Sequence, residues 1–219
     1  DYKMAATALI LRNAVVQIQT ALAAAKTITG ISKVSEAVVT ATHDFSIGDL
    51  VLIEAVAGMT QINDRVVRVK SVSTTVSFVC EGIDSTGWTT YASGGTAKKI
   101  TMGASFDNIT QFDLPDSAPE KLDITTIHDD EKQEAFGHDS VQEGTLSLIA
   151  NPLATAVVEV QTASKANARR AIMVTLSSGQ KAIFNAYVSG GAGFSGGVGA
   201  VGTAQISMTL RNKPQWFAS

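Results

Sequence analysis

Three features of this 219-residue chain have residue types and spacing that invite chemistry. The first is Gly191-Ala192-Gly193-Phe194-Ser195-Gly196, which spells G-x-G-x-x-G. In a dinucleotide site such glycines let the backbone approach a pyrophosphate at a helix N-terminus, and an acid about 20 residues on holds the ribose. Here more glycines and a strand-like run follow, and Arg211-Asn212-Lys213 stand where the acid belongs. Seven of the thirteen residues 190–202 are Gly, which reads as a flexible hairpin connection. The second feature is His128-Asp129-Asp130 with His138-Asp139. Imidazole and carboxylate are metal ligands, but a centre needs three or more to converge, and this spacing matches no metalloenzyme motif. A solvated polar loop is the simpler reading. The third is Cys80, the single cysteine, which excludes an intrachain disulfide and a thiolate zinc cluster. It sits in the apolar run Ser77-Phe78-Val79-Cys80 and reads as a buried core thiol. No catalytic set, metal site or cofactor is expected.

Composition sets further bounds. Hydrophobic residues make up 45% and charged residues 17%, so the chain is not of the disordered class. No apolar run approaches the roughly 18–20 residues of a membrane span, so no membrane insertion is expected. The net charge of −3 gives no basic footprint for gripping nucleic acid. That value hides an asymmetry. Asp107, Asp113, Asp116, Glu120, Asp123, Asp129, Asp130, Glu131, Glu134, Asp139 and Glu143 are opposed in their segment only by Lys121 and Lys132, a local charge of −9 that leaves +6 on the rest. Charge divided in this way favours contacts between copies or with a charged partner, against the plainer reading of a solvated loop.

The elements that must carry these residues are mostly β. Residues 16–19 alternate apolar and polar, and residues 38–42, 50–55, 65–72, 77–81 and 97–101 are short and β-branched. Turn residues separate them, among them Gly48-Asp49, Asn63-Asp64 and Ser93-Gly94-Gly95. Residues 31–100 therefore read as one small β module. Pro115, Pro119 and the acids point to a long extended loop over 112–144. A strand at 145–149 follows. Leu153, Val157, Val160 and Ala163 then recur at helical spacing, which predicts a helix over 152–167 with Asn151 as N-cap and Pro152 in its first turn. Strands are expected at 170–176, 181–189 and 203–211. Trp88 and Tyr91 read as aromatics packed over the small module. At the N-terminus, Asp1-Tyr2-Lys3 resembles a tag remnant before a native start at Met4. Residues 5–11 are apolar, but Arg12, Asn13, Gln17 and Gln19 break any signal-peptide core. The expected division is an arm or strand over 1–30, the small module over 31–100, and a core domain over 101–219.

The order of motifs resembles a known family. His43-Asp44-Phe45-Ser46-Ile47-Gly48-Asp49-Leu50-Val51, Gly58-Met59, Asn63-Asp64-Arg65-Val66 and Gly82-Ile83-Asp84-Ser85 look like a small β module found in phage virion proteins. Thr125-Thr126-Ile127-His128-Asp129-Asp130, Phe136-Gly137 and Gly144-Thr145-Leu146-Ser147-Leu148 lead to the helix. Ser178-Gly179-Gln180 and Ile183-Phe184-Asn185-Ala186-Tyr187-Val188 follow it. This succession is similar to the tail tube (major tail) proteins of long-tailed, non-contractile bacteriophages, over nearly all the chain after Met4.

The resemblance implies a mainly β fold: a sandwich or barrel with one flanking helix, here with the small β module inserted. It implies a structural virion protein, not an enzyme, assembled in the host cytoplasm into six-fold rings that stack as a hollow tail tube. Implied partners are other copies of the chain, a tape-measure protein in the lumen, terminator and tail-tip proteins, and DNA in non-sticky transit. Four strands from each of six subunits would close a 24-stranded barrel about 48 Å across its backbone, with a bore wide enough for duplex DNA. In the family a long loop reaches the neighbouring ring, and residues 112–144 match it. Asp113, Asp116, Glu120, Asp129, Asp130 and Glu131 are then expected to meet Arg169, Arg170, Lys98 or Lys99 of another copy. A single-ring terminator or adaptor, a secretion-type tube, and a carbohydrate-binding host-recognition module remain alternatives. Polymerisation separates the first from a tube, and monomers or trimers that bind glycan would mark the last.

Overall fold

A computed structural model describes residues 11–73 and 75–218. The tag-like start, Met4 and most of the apolar stretch 5–11 lie outside the described residues. In chain order the strands are β1 (Val15–Leu22), β2 (Lys26–Ile31), β3 (Val38–Ala41), β4 (Leu50–Ala57), β5 (Arg65–Ser73), β6 (Ser77–Cys80), β7 (Ser93–Ser105), β8 (Ile109–Asp113), β9 (Pro119–Asp123), β10 (Glu134–Asp139) and β11 (Glu143–Ile149). The helix α1 (Thr155–Lys165) follows, then β12 (Arg169–Thr175), β13 (Lys181–Gly190), β14 (Thr203–Leu210) and β15 (Gln215–Phe217).

Alternation along β3, β4, β5 and β6 sends Val39, Val51, Ile53, Val67, Val69, Phe78 and Cys80 to one side. A flat sheet could not bury that side, so the strands curl. The order β2-β3-β6-β5-β4-β7 closes through β2–β7 pairing into a six-stranded barrel. Full closure leaves no strand edge for another chain to join. Two features of the sequence permit it. Asn63 accepts from Val56 N–H at 2.8 Å and donates back to Val56 O at 2.9 Å, bracing the turn between β4 and β5. Gly95 lies at φ +96°, and a side chain there would begin 2.6 Å from Val56 Cγ2. Trp88 and Tyr91 pack against the barrel core, and the Tyr91 hydroxyl donates to Ile28 O at 3.1 Å.

The second half of β7 leaves the barrel and pairs with β1, and the sheet runs on through β12, β13, β14 and β11 to β8. It folds around α1. Ile18, Leu146, Leu148, Ile172, Phe184, Ile206 and Met208 meet Ala156, Val157, Val160 and Ala163 of the helix. Each large aliphatic side chain so buried contributes about 1.5–3 kcal/mol before entropy is counted. The fold is thus mainly β, with one flanking helix and a closed barrel.

Three local expectations need correction. The helix starts at Thr155, with Ala154 as N-cap and no side-chain cap bond. Ala154 N–H instead bonds Asn151 O at 3.1 Å, which makes Asn151–Ala154 a turn. Pro152 occupies the second turn position that its fixed φ suits, and Leu153 is 86% exposed rather than on the buried stripe. At the other end Asn167 at φ 48° lets Ala168 N–H reach back to Ala163 O at 2.9 Å and stops the helix. Second, Ser93-Gly94-Gly95 is not a turn between strands but the opening of a thirteen-residue strand, still paired to Val56 and Ala57. Third, residues 112–144 are not one loop. They hold a separate two-stranded hairpin, β9 with β10, in register Leu122↔Ala135. Pro119 can open β9 because that strand has only one partner and needs no second row of donors. The hairpin connection expected at 190–202 does link β13 to β14.

Burial pushes the Cys80 thiol well above its usual range. Cys80 should therefore resist a thiol-specific reagent at pH 8 in the folded chain and react within minutes in denaturant; equal rates in both states would contradict this packing.

Candidate assembly surfaces

The barrel is clasped to one part of the sheet. Leu52, Val66 and Ile100 pack on Ala171, Ile183 and Phe217. Asp64 lies at the centre of the polar contacts, at φ 64°, a conformation Asp tolerates better than most residues. Its carboxylate sits 2.6 Å from Arg169 Nη1 and accepts from Arg211 Nε at 3.2 Å. Its carbonyl oxygen accepts from Asn185 Nδ2 at 3.0 Å. Burial pulls the Arg169 guanidinium down, but hydrogen bonding to Asp64 and Tyr187 outweighs it and leaves the group above its ordinary value. Nearby, Arg68 pairs with Glu81 and stacks over the Phe217 ring at 4.7 Å.

The barrel covers β12 and the start of β13 but leaves β13, β14, β11 and β8 bare beyond them. Strand register shows what this bare face presents. One row reads Gln111, Ser147, Gln205; the next reads Asp113, Thr145, Ser207, Ser189; a third reads Glu143, Thr209, Tyr187. Alternate residues Leu146, Leu148, Ala204, Ile206 and Met208 face α1 and are buried. So a four-stranded face carries hydroxyls and amides, with Asp113 and Glu143 its only charges in these rows. No Lys or Arg stands among them. On its outer side β8 has no strand partner among the described residues, which leaves an edge open to another chain.

The acidic hairpin is the second surface. Every residue of β9 is exposed, and Ile127 and Phe136 are 96% and 73% exposed. Glu134 binds Lys132 at 2.9 Å and Lys121 at 3.3 Å, and these hydrogen bonds hold its carboxyl below the usual range. Asp123 accepts from Thr125, and Asp129 from Thr126 N–H at 2.7 Å. Those two acids shape the tip and are lowered by the same bonds. Asp116, Glu120, Asp130 and Glu131 are exposed and make no ion pair among the described residues.

The four expected basic partners lie elsewhere. Lys98 pairs with Glu54 at 2.7 Å, Lys99 with Asp49 at 2.8 Å, and Arg169 with Asp64. Arg170 Nη1 donates to Arg169 O at 3.2 Å. A different basic group, missed in the sequence, converges at the hairpin root: Arg65, Arg211 and Lys213 line one groove with Ser117, Ser140, Gln142, Tyr187 and Thr209. Their separation by nearly 150 positions left no local signal. The glycine-rich loop also spells G-x-S-x-G at Gly193-Phe194-Ser195-Gly196-Gly197. A nucleophile elbow needs a strand-to-helix turn. Ser195 instead forms a β-bridge with Thr203, between two strands. His128 is exposed at the hairpin tip, and no three metal-ligating side chains converge among the described residues.

A curled sheet with one apolar face on a helix, one bare polar face, an open edge and a projecting hairpin defines a strand-built structural subunit with surfaces to share. Residues 57–219 match the family described as phage tail tube protein, TTP, and the chain belongs to that family. The match begins at the end of β4 and takes in half the barrel and every strand of the sheet except β1. It is a structural component of the virion tail. No curated protein matches the chain significantly. No helix among the described residues is long and apolar enough to cross a membrane.

Asp64→Ala should lower stability by about 2–4 kcal/mol, because two guanidinium groups lose their carboxylate and Ala must hold a left-handed backbone. Asp64→Asn, which keeps the backbone preference but also loses the charge, should cost less than Ala yet still destabilise; a chemical-denaturation midpoint for Asp64→Asn equal to that of the unmodified chain would show that the clasp is not electrostatic.

Proposed function

We propose that this chain forms hexameric rings that stack into the hollow tail tube, and that the bare face of β13, β14, β11 and β8 lines its bore. The observation that carries the reading is that face itself. Four strands per subunit is the number that six copies need for a 24-stranded barrel about 48 Å across its backbone. The open edge of β8 is where a neighbouring subunit's sheet would continue, and closure of the ring would leave no edge exposed. A bore for DNA must not hold phosphates, since each neutralised phosphate adds affinity. Ser147, Ser189, Gln205 and Ser207 bring no cation to that wall, and Asp113 and Glu143 repel phosphate. Genome DNA would slide past hydroxyls and amides that exchange hydrogen bonds with water. The protein is structural rather than catalytic on this reading. It is assembled in the host cytoplasm around a tape-measure protein and is bounded by terminator and tail-tip proteins. The exposed acids of the hairpin, with Asp113 and Asp116 at its approach, serve contacts between copies. The four expected partners Lys98, Lys99, Arg169 and Arg170 take part only if their present bonds are exchanged.

Negative-stain electron microscopy of the purified chain across concentration and salt tests this. Stacked hollow rings are expected; discrete single rings would favour a terminator or adaptor, and small particles that bind glycan a recognition module. In assembled tubes, Ser147→Lys with Gln205→Lys should create duplex-DNA binding that the unmodified tube lacks. Its log affinity should fall with log salt by about 0.9 per phosphate contacted. Tubes that bind no more DNA after this change would place the face outside the bore.

A further inference from the structure

One end of the barrel is closed by a buried histidine. β3 and β4 are consecutive in the chain but not neighbours in the barrel, since β6 and β5 stand between them on one side and β2 and β7 on the other. The link of residues 42–49 must therefore cross the barrel's end. Its first side chains alternate, with Thr42, Asp44 and Ser46 exposed and His43 and Phe45 buried. His43 is only 4% exposed. Its ring stacks on Phe45 with centroids 5.0 Å apart and planes 11° from parallel, and it meets the Phe78 ring edge-on at 5.4 Å. Phe45 and Phe78 belong to the barrel core, so this aromatic trio is its stopper.

The hydrogen bonds fix where the imidazole carries its proton. Nδ1 accepts the Phe45 N–H at 3.1 Å, so the neutral ring is protonated on Nε2. Nε2 is itself buried and has no hydrogen-bond partner. A second proton can go only to Nδ1, where it would point at the N–H that Nδ1 now accepts. The charged ring would lose its one hydrogen bond and hold two buried donors with no acceptor, which a protein interior tolerates poorly. The surrounding charges are already matched. Lys26 of β2 holds Asp44 at 2.9 Å, and Lys99 of β7 holds Asp49 at 2.8 Å. Lys98 of β7 holds Glu54 of β4, and Arg68 and Lys70 of β5 hold Glu81 and Glu36. β3 has no titratable side chain, and β6 has only the buried Cys80 thiol. The hydrogen bond from Lys26 keeps the Asp44 carboxyl below its ordinary value, so it stays ionised while an imidazole titrates. That carboxylate is 76% exposed, and it offers an anion to an imidazolium that has left the core.

We propose that His43 is an acid-sensitive latch: a proton on Nδ1 releases residues 43–45 from the end of the barrel and uncovers Phe78, while the sheet around α1 keeps its fold. Phe45 leaves with the ring because its N–H is bonded to it. Gly48, at φ +87°, bonds Val69 O at 2.8 Å and pins the far end of the link, so β4 stays in place. The uncovered ring joins Ile47 and Val76, which are already exposed at that end of the barrel, where Val76 O accepts from Ala41 N–H at 3.0 Å. Stability held by the neutral ring is present above the imidazole range and is lost as pH falls through it, from about 7 to about 5. The latch lies within one subunit and does not rest on the tube reading.

Amide hydrogen exchange of the full chain, beside that of His43→Asn, tests the latch. An Asn side-chain oxygen can accept the same N–H two residues on, but it does not titrate. His128 and His138 are present in both chains, so their titration cancels, as does the intrinsic pH dependence of exchange. The Phe78 amide of the unmodified chain should exchange about tenfold faster than that of the variant at about pH 5, and equally at about pH 7.5. Amides of β12, β13 and β14 should match at both values. Equal exchange at Phe78 in the two chains throughout would overturn the latch, and so would a difference that spreads to β12–β14. If His43→Asn does not fold, ring-nitrogen NMR of the unmodified chain decides. Nδ1 should be the bare nitrogen at neutral pH, and protonation of the ring should coincide with the loss of Phe78 protection. A ring that takes up its proton while Phe78 stays protected, or that remains neutral until the whole chain unfolds, would show that His43 releases nothing.

Discussion

The pairing of β7 with its neighbours is the constraint on which the rest of the molecule depends. Its first half closes the barrel against β4 and β2, and its second half joins β1 and the sheet around α1. On the β1–β2 side the chain runs antiparallel to β7 almost without interruption, from Gln17 opposite Ser105 to Thr27 opposite Thr96. One ribbon therefore belongs to both layers. A shift of register by one residue would turn Ala97, Ile100 and Ala104 away from their cores together. Gly103 makes the crossing possible: a side chain there would begin 2.1 Å from Thr20 Oγ1, where β1 bulges. The clasp at Asp64 then holds at a distance what β7 fixes along the backbone.

This shared strand also explains how the sheet comes to have two kinds of outer face. The barrel, held close by β7, must lie on β12 and the start of β13, and there the outward residues are Ala171 and Ile183. Beyond its shadow the outward residues become Ser, Thr and Gln, although the inward residues stay apolar throughout. The change of outward chemistry along β13, from Ile183 and Asn185 to Tyr187 and Ser189, marks the shadow's limit within one strand. A face selected only for solubility would be expected to carry mixed charge, as the hairpin does. The three rows from β8 to β13 carry no base, and the bases gather at their edge, against Tyr187 and Thr209.

Much of the fold was legible because its signals are local. Alternation and turn residues located β1, β3 to β6, β11 and β12 to β14, and the helical stripe at Val157, Val160 and Ala163 located α1. What was not legible depends on partners far away in sequence. β2 contains Gly30 and reads poorly alone; it is a strand because β3 and β7 flank it. β9 is exposed at every position, so no alternation betrays it. The acids of the candidate surface were visible as a run. The cationic groove was not, because Arg65 and Arg211 meet only after the barrel docks on the sheet.

Charge segregation can now be read as a physical arrangement rather than a composition. The acids cluster on a hairpin that reaches outward, and the paired bases, Lys98, Lys99 and Arg169, are spent on carboxylates inside the subunit. On the proposed assembly, exposed pairs between copies would each be weak enough to keep single encounters reversible, so a misplaced copy could leave. Only a copy placed where several such contacts form at once would be retained. A tube built in that way would need no strong individual bond between rings.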